Sequence, residues 1–168
     1  VVLPNGEVTW LGGRTGDAPG YDLTGLFVGS EGTLGIVTKV IVRVLPKPEA
    51  HKTLLAIFET IEDACEAVSD VIAQGIIPTA MDMMDQLALQ AVEADSHACY
   101  PLDAGAVVLI EVDGLKDGLD EAAGRIEATC LRHKARSVLI ARDEAERMKL
   151  WAGRKRAFGA IGRISPAY

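Results

Sequence analysis

Aromatic residues make up only 5% of this 168-residue chain, so any core must be packed from Val, Ile, Leu, Ala and Met within the 49% apolar share. At this length about two-thirds of the unfolded surface can be buried, which is enough for one ordinary domain or parts of two. Basic charge is also short: 17 Lys and Arg stand against 24 Asp and Glu, for a net charge of -7. The one dense basic run, Arg154-Lys155-Arg156, is too short to neutralise a phosphate backbone, which excludes a nucleic-acid partner. Three cysteines, Cys65, Cys99 and Cys130, form no C-x-x-C pair, which argues against a disulfide framework or a zinc site and for a reduced, cytoplasmic setting. His51, His97 and His133 have no second ligand at metal-binding spacing and read as surface or edge residues, so no metal site is expected. No apolar run reaches transmembrane length and no signal peptide is visible. The chain begins on Val1 rather than Met and stops at Tyr168 without an end signal, the look of a piece of a longer protein.

Glycine, by contrast, is concentrated where it can matter. Gly29-Ser30-Glu31-Gly32-Thr33-Leu34-Gly35-Ile36-Val37-Thr38 threads glycines into the start of an apolar, β-branched run. Glycine admits φ > 0 and lets main-chain N–H groups approach a ligand that a side chain would hold off. Two readings stand at this point, a tight turn feeding a buried strand over 34–45 and a loop lying against a ligand.

The rest of the pattern alternates strand and helix. Asn5-Gly6 between apolar stretches predicts a β-hairpin, residues 12–20 a surface loop, and 21–27 a short helix. Pro46 and Pro48 mark a domain boundary. Beyond them strands are predicted over 53–58, 76–84, 106–112 and 137–141. Between them, helices carry Ala64, Val68 and Val71, then Leu87 and Val92, then Leu119, Ile126 and Cys130, with a last helix from Asp143. Thr60 with Asp63, and Asp143 with Glu146, have capping-box spacing, Asp85 can cap the second helix, and Gly75 can end the first. The order predicts an α+β fold, with helices on one face of an antiparallel sheet.

Few residues stand out chemically. Glu31 is better placed to bond its own loop's amides than to act as a base. Asp82 and Asp85 are explained by a solvated strand face and a helix cap, and Asp143, Glu144 and Glu146 by a helix N-terminus. Arg147, Trp151, Arg154, Phe158 and Ile161 share a helical face, so Arg154 is flanked by aromatic surface. Such a guanidinium either snorkels to solvent or receives a carboxylate through its planar fork.

The loop, with Gly75-Ile76-Ile77-Pro78, Met83-Met84-Asp85, His97-Ala98, Tyr100-Pro101, Glu111-Val112-Asp113-Gly114, Trp151-Ala152-Gly153-Arg154 and Gly162-Arg163-Ile164-Ser165-Pro166, resembles the FAD-linked oxidase family of the vanillyl-alcohol oxidase superfamily. The resemblance implies that 1–46 end an FAD-binding α+β domain and that 47–168 are part of a ferredoxin-like cap, or substrate, domain. It implies FAD as cofactor, lined by Glu31, Gly32, Thr33, Leu34, Gly35, Ile36 and Val37, and Arg154 as the residue that holds a substrate carboxylate. It further implies oxidation of glycolate or a similar D-2-hydroxy acid, with D-lactate, 2-hydroxyglutarate or a structural, subunit-contact role as alternatives. Electrons would pass to other oxidase subunits or a carrier, which could place the parent at the inner membrane without a span of its own. The family's pyrophosphate-gripping loop and its catalytic histidines fall outside 1–168, so no catalytic base is expected within the chain.

Overall fold

Two uninterrupted apolar runs, Leu54-Leu55-Ala56-Ile57-Phe58 and Ala106-Val107-Val108-Leu109-Ile110, dictate the layering, because such strands are stable only when both faces are covered. In the computed structural model, which describes residues 1–13, 20–96 and 99–164, they form the two central strands of a four-stranded sheet. Strand β1 (Ala50–Phe58) pairs antiparallel with β3 (Ala106–Gly114), Leu54 lying opposite Ile110. Strand β2 (Ala80–Asp85) pairs with the other side of β3, and β4 (Ser137–Ile140) with the other side of β1, so the order is β2-β3-β1-β4.

Helices α2 (Ile61–Ala73) and α4 (Lys116–Arg132) cover one face, where Leu54, Ala56, Phe58, Val108 and Ile110 meet Val71 and Ile126. With the four strands they make the split β-α-β-β-α-β arrangement of the ferredoxin-like fold. The other face is covered as well. Helix α3 (Gln86–Ser96), between β2 and β3, and α5 (Glu144–Ile164), after β4, pack Leu89, Val92, Ala157 and Ala160 onto Leu55, Ile57, Val107 and Leu109. The α+β, antiparallel reading therefore holds, while helices on one face alone is corrected. Strands that are apolar at every position need two helical layers.

Local signals act as their chemistry predicts, with small shifts. Thr60 Oγ1 accepts from Asp63 N at 3.2 Å, and Asp63, one methylene shorter than Glu, returns the contact to the Thr60 hydroxyl at 2.7 Å instead of to the backbone. Asp85 caps α3 through Ala88 N at 2.8 Å, Asp143 caps α5 through Glu146 N at 2.8 Å, and Glu146 reaches back to Arg142 N. Gly75 ends α2 at φ +75. Strand β2 begins at Ala80 rather than at 76, since Pro78 has no N–H to give a ladder.

The chain divides into two compact units, Val1–Pro46 and Lys47–Tyr168. In the first, Leu3 N bonds Glu7 O and Gly6 N bonds Leu3 O, closing the expected hairpin as a three-residue Pro4-Asn5-Gly6 loop with Gly6 left-handed at φ +84. Helix α1 (Leu23–Phe27) is capped by Asp22 through Gly25 N at 2.9 Å. Ile36 exchanges two backbone bonds with Val2, at 2.8 and 2.9 Å. The expected strand over 34–45 goes no further than this bridge: Val40, Ile41, Val42, Val44 and Leu45 are each 65–82% exposed. A β-branched run becomes a strand only against a partner, and among the described residues none pairs with it. Parts of the 12–20 loop, His97-Ala98 and Ser165-Pro166 lie outside the described residues.

Candidate functional site

The second face of the sheet carries a polar row at one end. Register places Thr53, Glu111 and Ala80 side by side across β1, β3 and β2, with Leu55, Leu109 and Asp82 in the next row on the same face. Over these rows α5 lays Arg147, Trp151 and Arg154, spaced by four and then three so that they stay on one side of the helix.

Glu111 is the hub. It is 6% exposed, yet accepts from Thr53 Oγ1 at 2.6 Å, from Trp151 Nε1 at 2.6 Å, and from Arg147 Nε and Nη2 at 2.8 and 2.9 Å. Burial pushes its pKa up, but the bonds from Arg147, Thr53 and Trp151 outweigh that and hold it at about 2. Arg147 spends its remaining terminal nitrogen on Glu144 at 2.8 Å, and its pKa is raised, chiefly by the Glu111 bond. His51 Nδ1 is buried, 3.8 Å from Glu111 Oε1 and without a hydrogen-bond partner. His133 lies between Asp70 at 2.9 Å and Glu66 at 3.5 Å. Both histidines are thus partly exposed beside carboxylates, and His97 lies outside the described residues. Cys65 and Cys130 form no disulfide, and Cys99 Sγ accepts from Lys149 Nζ at 2.9 Å. Among the described residues no group of three His, Cys, Asp or Glu could hold a metal ion.

Arg154 stands one helical turn beyond Trp151 and is bonded quite differently from Arg147. Its Nη2 donates to Asp82 Oδ1 at 2.8 Å, and its side chain remains 39% exposed. Nε and Nη1 have no acceptor among the described residues. Asp82 is thus no merely solvated strand residue. The aromatic flank is half as predicted: Trp151 packs against the second core, whereas Phe158 is 76% exposed. The reason is that Gly153, Ala157 and Ala160 turn their small side toward the core and α3, rotating the larger stripe outward. Tyr100, just after α3, anchors α5 by donating its hydroxyl to Leu150 O, and burial pushes its pKa up to about 12.

In the first unit, the glycine loop is tied by Thr33 N and Oγ1 to Ser30 O, at 3.0 and 2.6 Å. Gly29, Glu31 and Gly32 are left-handed, at φ +83, +50 and +81. A Cβ on Gly32 would meet nothing within 4 Å, whereas one on Gly35 would lie 2.7 Å from Val2 O. Gly35 is therefore required by the bridge to Val2 whatever else it touches. The N–H groups of Glu31, Gly32, Leu34, Gly35 and Val37 have no protein acceptor among the described residues, and such groups can meet a ligand's acceptors. Among the described residues Glu31's carboxylate bonds none of the loop's amides, contrary to expectation. Ile36 and Val37 are 67% and 50% exposed.

Residues 47–168 match the family of FAD linked oxidases, C-terminal domain, and the chain belongs to that family. Over 164 residues it is 49% identical to the glycolate oxidase subunit GlcD of Escherichia coli K12, covering 98% of this chain and 33% of that protein. Identity to GlcD of Bacillus subtilis 168 is 46%, covering 99% and 36%, and to the yeast D-lactate dehydrogenase [cytochrome] 1, mitochondrial, 31%, covering 96% and 28%. The chain thus spans about a third of the length of the curated relatives it matches. Among solved structures, alkyldihydroxyacetonephosphate synthase shares the fold, with a TM-score of 0.61 at 19% identity over 97% of this chain and 31% of its own.

Neither Glu111 nor Asp82 announces its role in sequence. Only the strand register shows that a carboxylate at each position faces an α5 arginine.

Proposed function

We propose that the chain belongs to a flavin-dependent subunit that oxidises glycolate, or a similar small D-2-hydroxy acid, to the 2-oxo acid. The observation that carries this reading is the end-to-end identity with glycolate oxidase subunits at 46–49%, against 31% for a D-lactate dehydrogenase. In this reading residues 1–46 complete an FAD-binding domain and 47–168 supply much of the substrate domain. FAD, when bound, takes up hydride from the substrate α-carbon. Glu31, Gly32, Thr33, Leu34, Gly35, Ile36 and Val37 would line it, with the free backbone N–H groups meeting its acceptors and Ile36 and Val37 supplying apolar contact.

Arg154 holds the substrate carboxylate. A half-exposed guanidinium with free donors matches a planar anion in charge and shape, which Arg147, with every terminal nitrogen engaged, cannot do. Electrons from the oxidation would leave through partner subunits or a carrier. GlcD is itself named a subunit, and among the described residues no helix is long and apolar enough to cross a membrane.

The test is steady-state kinetics of the full-length protein with glycolate, D-lactate and 2-hydroxyglutarate. The purified protein should be yellow, with glycolate preferred. Arg154→Lys keeps the charge but loses the fork, and should lower kcat/KM by about ten- to a hundredfold. Lys155→Ala, one position round the helix, should have little effect. A colourless protein would leave only a structural role, a preference for D-lactate would change the substrate, and equal small effects at both positions would move the clamp elsewhere.

A further inference from the structure

Two arginines of α5, two helical turns apart, each meet a carboxylate of the sheet, and the contrast between them is informative. Arg147 is fully engaged by Glu111 and Glu144, while Arg154 gives only Nη2, to Asp82, and keeps the rest of its fork. Asp82 sits within β2, opposite Leu109 in the ladder, so its backbone is fixed. A long, rotamer-rich side chain tethered at one nitrogen to a rigid strand is already placed for a second acceptor. The contact is also only partly buried, at 39% and 29% side-chain exposure, so a ligand can reach the same guanidinium.

We propose that Asp82 is a positioning residue for substrate binding: it orients the Arg154 guanidinium from β2 so that the free donors of the fork receive the substrate carboxylate. This rests on the reading of Arg154 as the carboxylate clamp. Asp82 does not touch the reacting atoms. It acts through Arg154, and its effect falls on binding rather than on the chemical step. Its negative charge also works against the incoming anion, so orientation and charge push affinity in opposite directions. The proposal is that orientation wins.

The experiment uses the full-length flavoprotein with glycolate as substrate and oxalate as a non-reacting dicarboxylate, whose Kd is read from perturbation of the flavin spectrum. Asp82→Asn keeps the shape and loses the charge-assisted bond. It should raise the KM for glycolate and the Kd for oxalate by about tenfold, with kcat within about twofold and FAD content unchanged. Asp82→Glu, which retains a carboxylate, should fall between Asp82→Asn and the parent. Arg154→Ala should raise KM further, and adding Asp82→Asn to it should change nothing more, because one partner already removes the pair.

If Asp82→Asn leaves KM and Kd unchanged or lowers them while Arg154→Ala raises both, Asp82 is not a positioning residue and the proposal fails although the clamp stands. Additive effects in the double variant overturn it equally. If Arg154→Ala itself leaves KM and Kd untouched, the clamp reading fails.

Discussion

Glu111 concentrates more hydrogen-bond donors than any residue legible as a site in sequence, and what it holds together is α5. Removing it as Glu111→Ala leaves Arg147 Nε and Nη2, Trp151 Nε1 and Thr53 Oγ1 without their acceptor in a nearly closed interface. The expected loss is about 3 kcal/mol, read from urea unfolding, with Glu111→Gln smaller because it still accepts. The same residue makes stability depend on acid. Its folded pKa of about 2 lies below the ordinary 4.5, so its contribution is complete above about 4.5 and is lost as pH falls through about 2. Asp70 and Glu146 are held at about 2 as well, by Arg132 and Arg142, and add to the same acid loss. Comparing melts of the parent and Glu111→Gln between pH 5 and pH 2 isolates Glu111: the two curves should converge on the acid side. None of this was visible in the run Glu111-Val112-Asp113-Gly114, because a carboxylate ending an apolar strand looks like an exposed terminus until its cross-strand neighbours are known. Arg154 stood out in sequence through its helical spacing from Trp151 together with the family resemblance, whereas Asp82, its partner, lies 72 residues away in sequence.

At the scale of elements, the alternation of strands and helices, the caps and the hairpin could be read directly, since each depends on residues within a few positions of one another. Which face a helix covers depends on contacts between distant segments, and there the reading fell short: α3 and α5 were placed with α2 and α4. The clue lay in Leu54 to Phe58, whose unbroken apolar run already required cover on both sides. Two glycines in this unit should respond to the same substitution with opposite sign. Gly105 enters β3 against the preceding strand end, and a Cβ there would lie 2.0 Å from Glu59 O. Gly105→Ala must shift backbone and should cost about 1–3 kcal/mol. Gly124, exposed within α4, would meet nothing within 4 Å. Gly124→Ala should stabilise by about 0.5–1 kcal/mol, since it removes the entropy cost of a mid-helix glycine. Chemical denaturation of the two variants beside the parent checks both signs at once.

On the scale of the whole molecule, the two units differ in how much of their own apolar surface they bury. Lys47–Tyr168 closes two cores around its sheet, while Val1–Pro46 leaves Trp10, Val40, Ile41, Val42, Val44 and Leu45 largely exposed. Amide exchange on the 168-residue chain should therefore be slow through β1 and β3 and fast through 37–46, because protection follows buried, hydrogen-bonded backbone. The same asymmetry bears on the proposed binding of FAD. The strip at 31–37 offers only a few N–H groups without a protein acceptor among the described residues, all on one short loop, and a dinucleotide loses translational and rotational freedom on binding that so few contacts cannot offset. The chain spans only about a third of the length of its GlcD relatives, so most of the proposed flavin cleft would be built from other segments. Calorimetric titration of FAD into the 168-residue chain at micromolar concentration should accordingly show no stoichiometric heat, while the full-length protein retains its flavin through purification. Tight one-to-one binding by the short chain would mean that the loop and its neighbouring apolar residues form a complete site by themselves. Gly32→Ala in the full-length protein sharpens the point: the added methyl meets nothing in its own unit, so a loss of FAD beyond the modest strain of φ +81 would have to come from a ligand lying against that backbone.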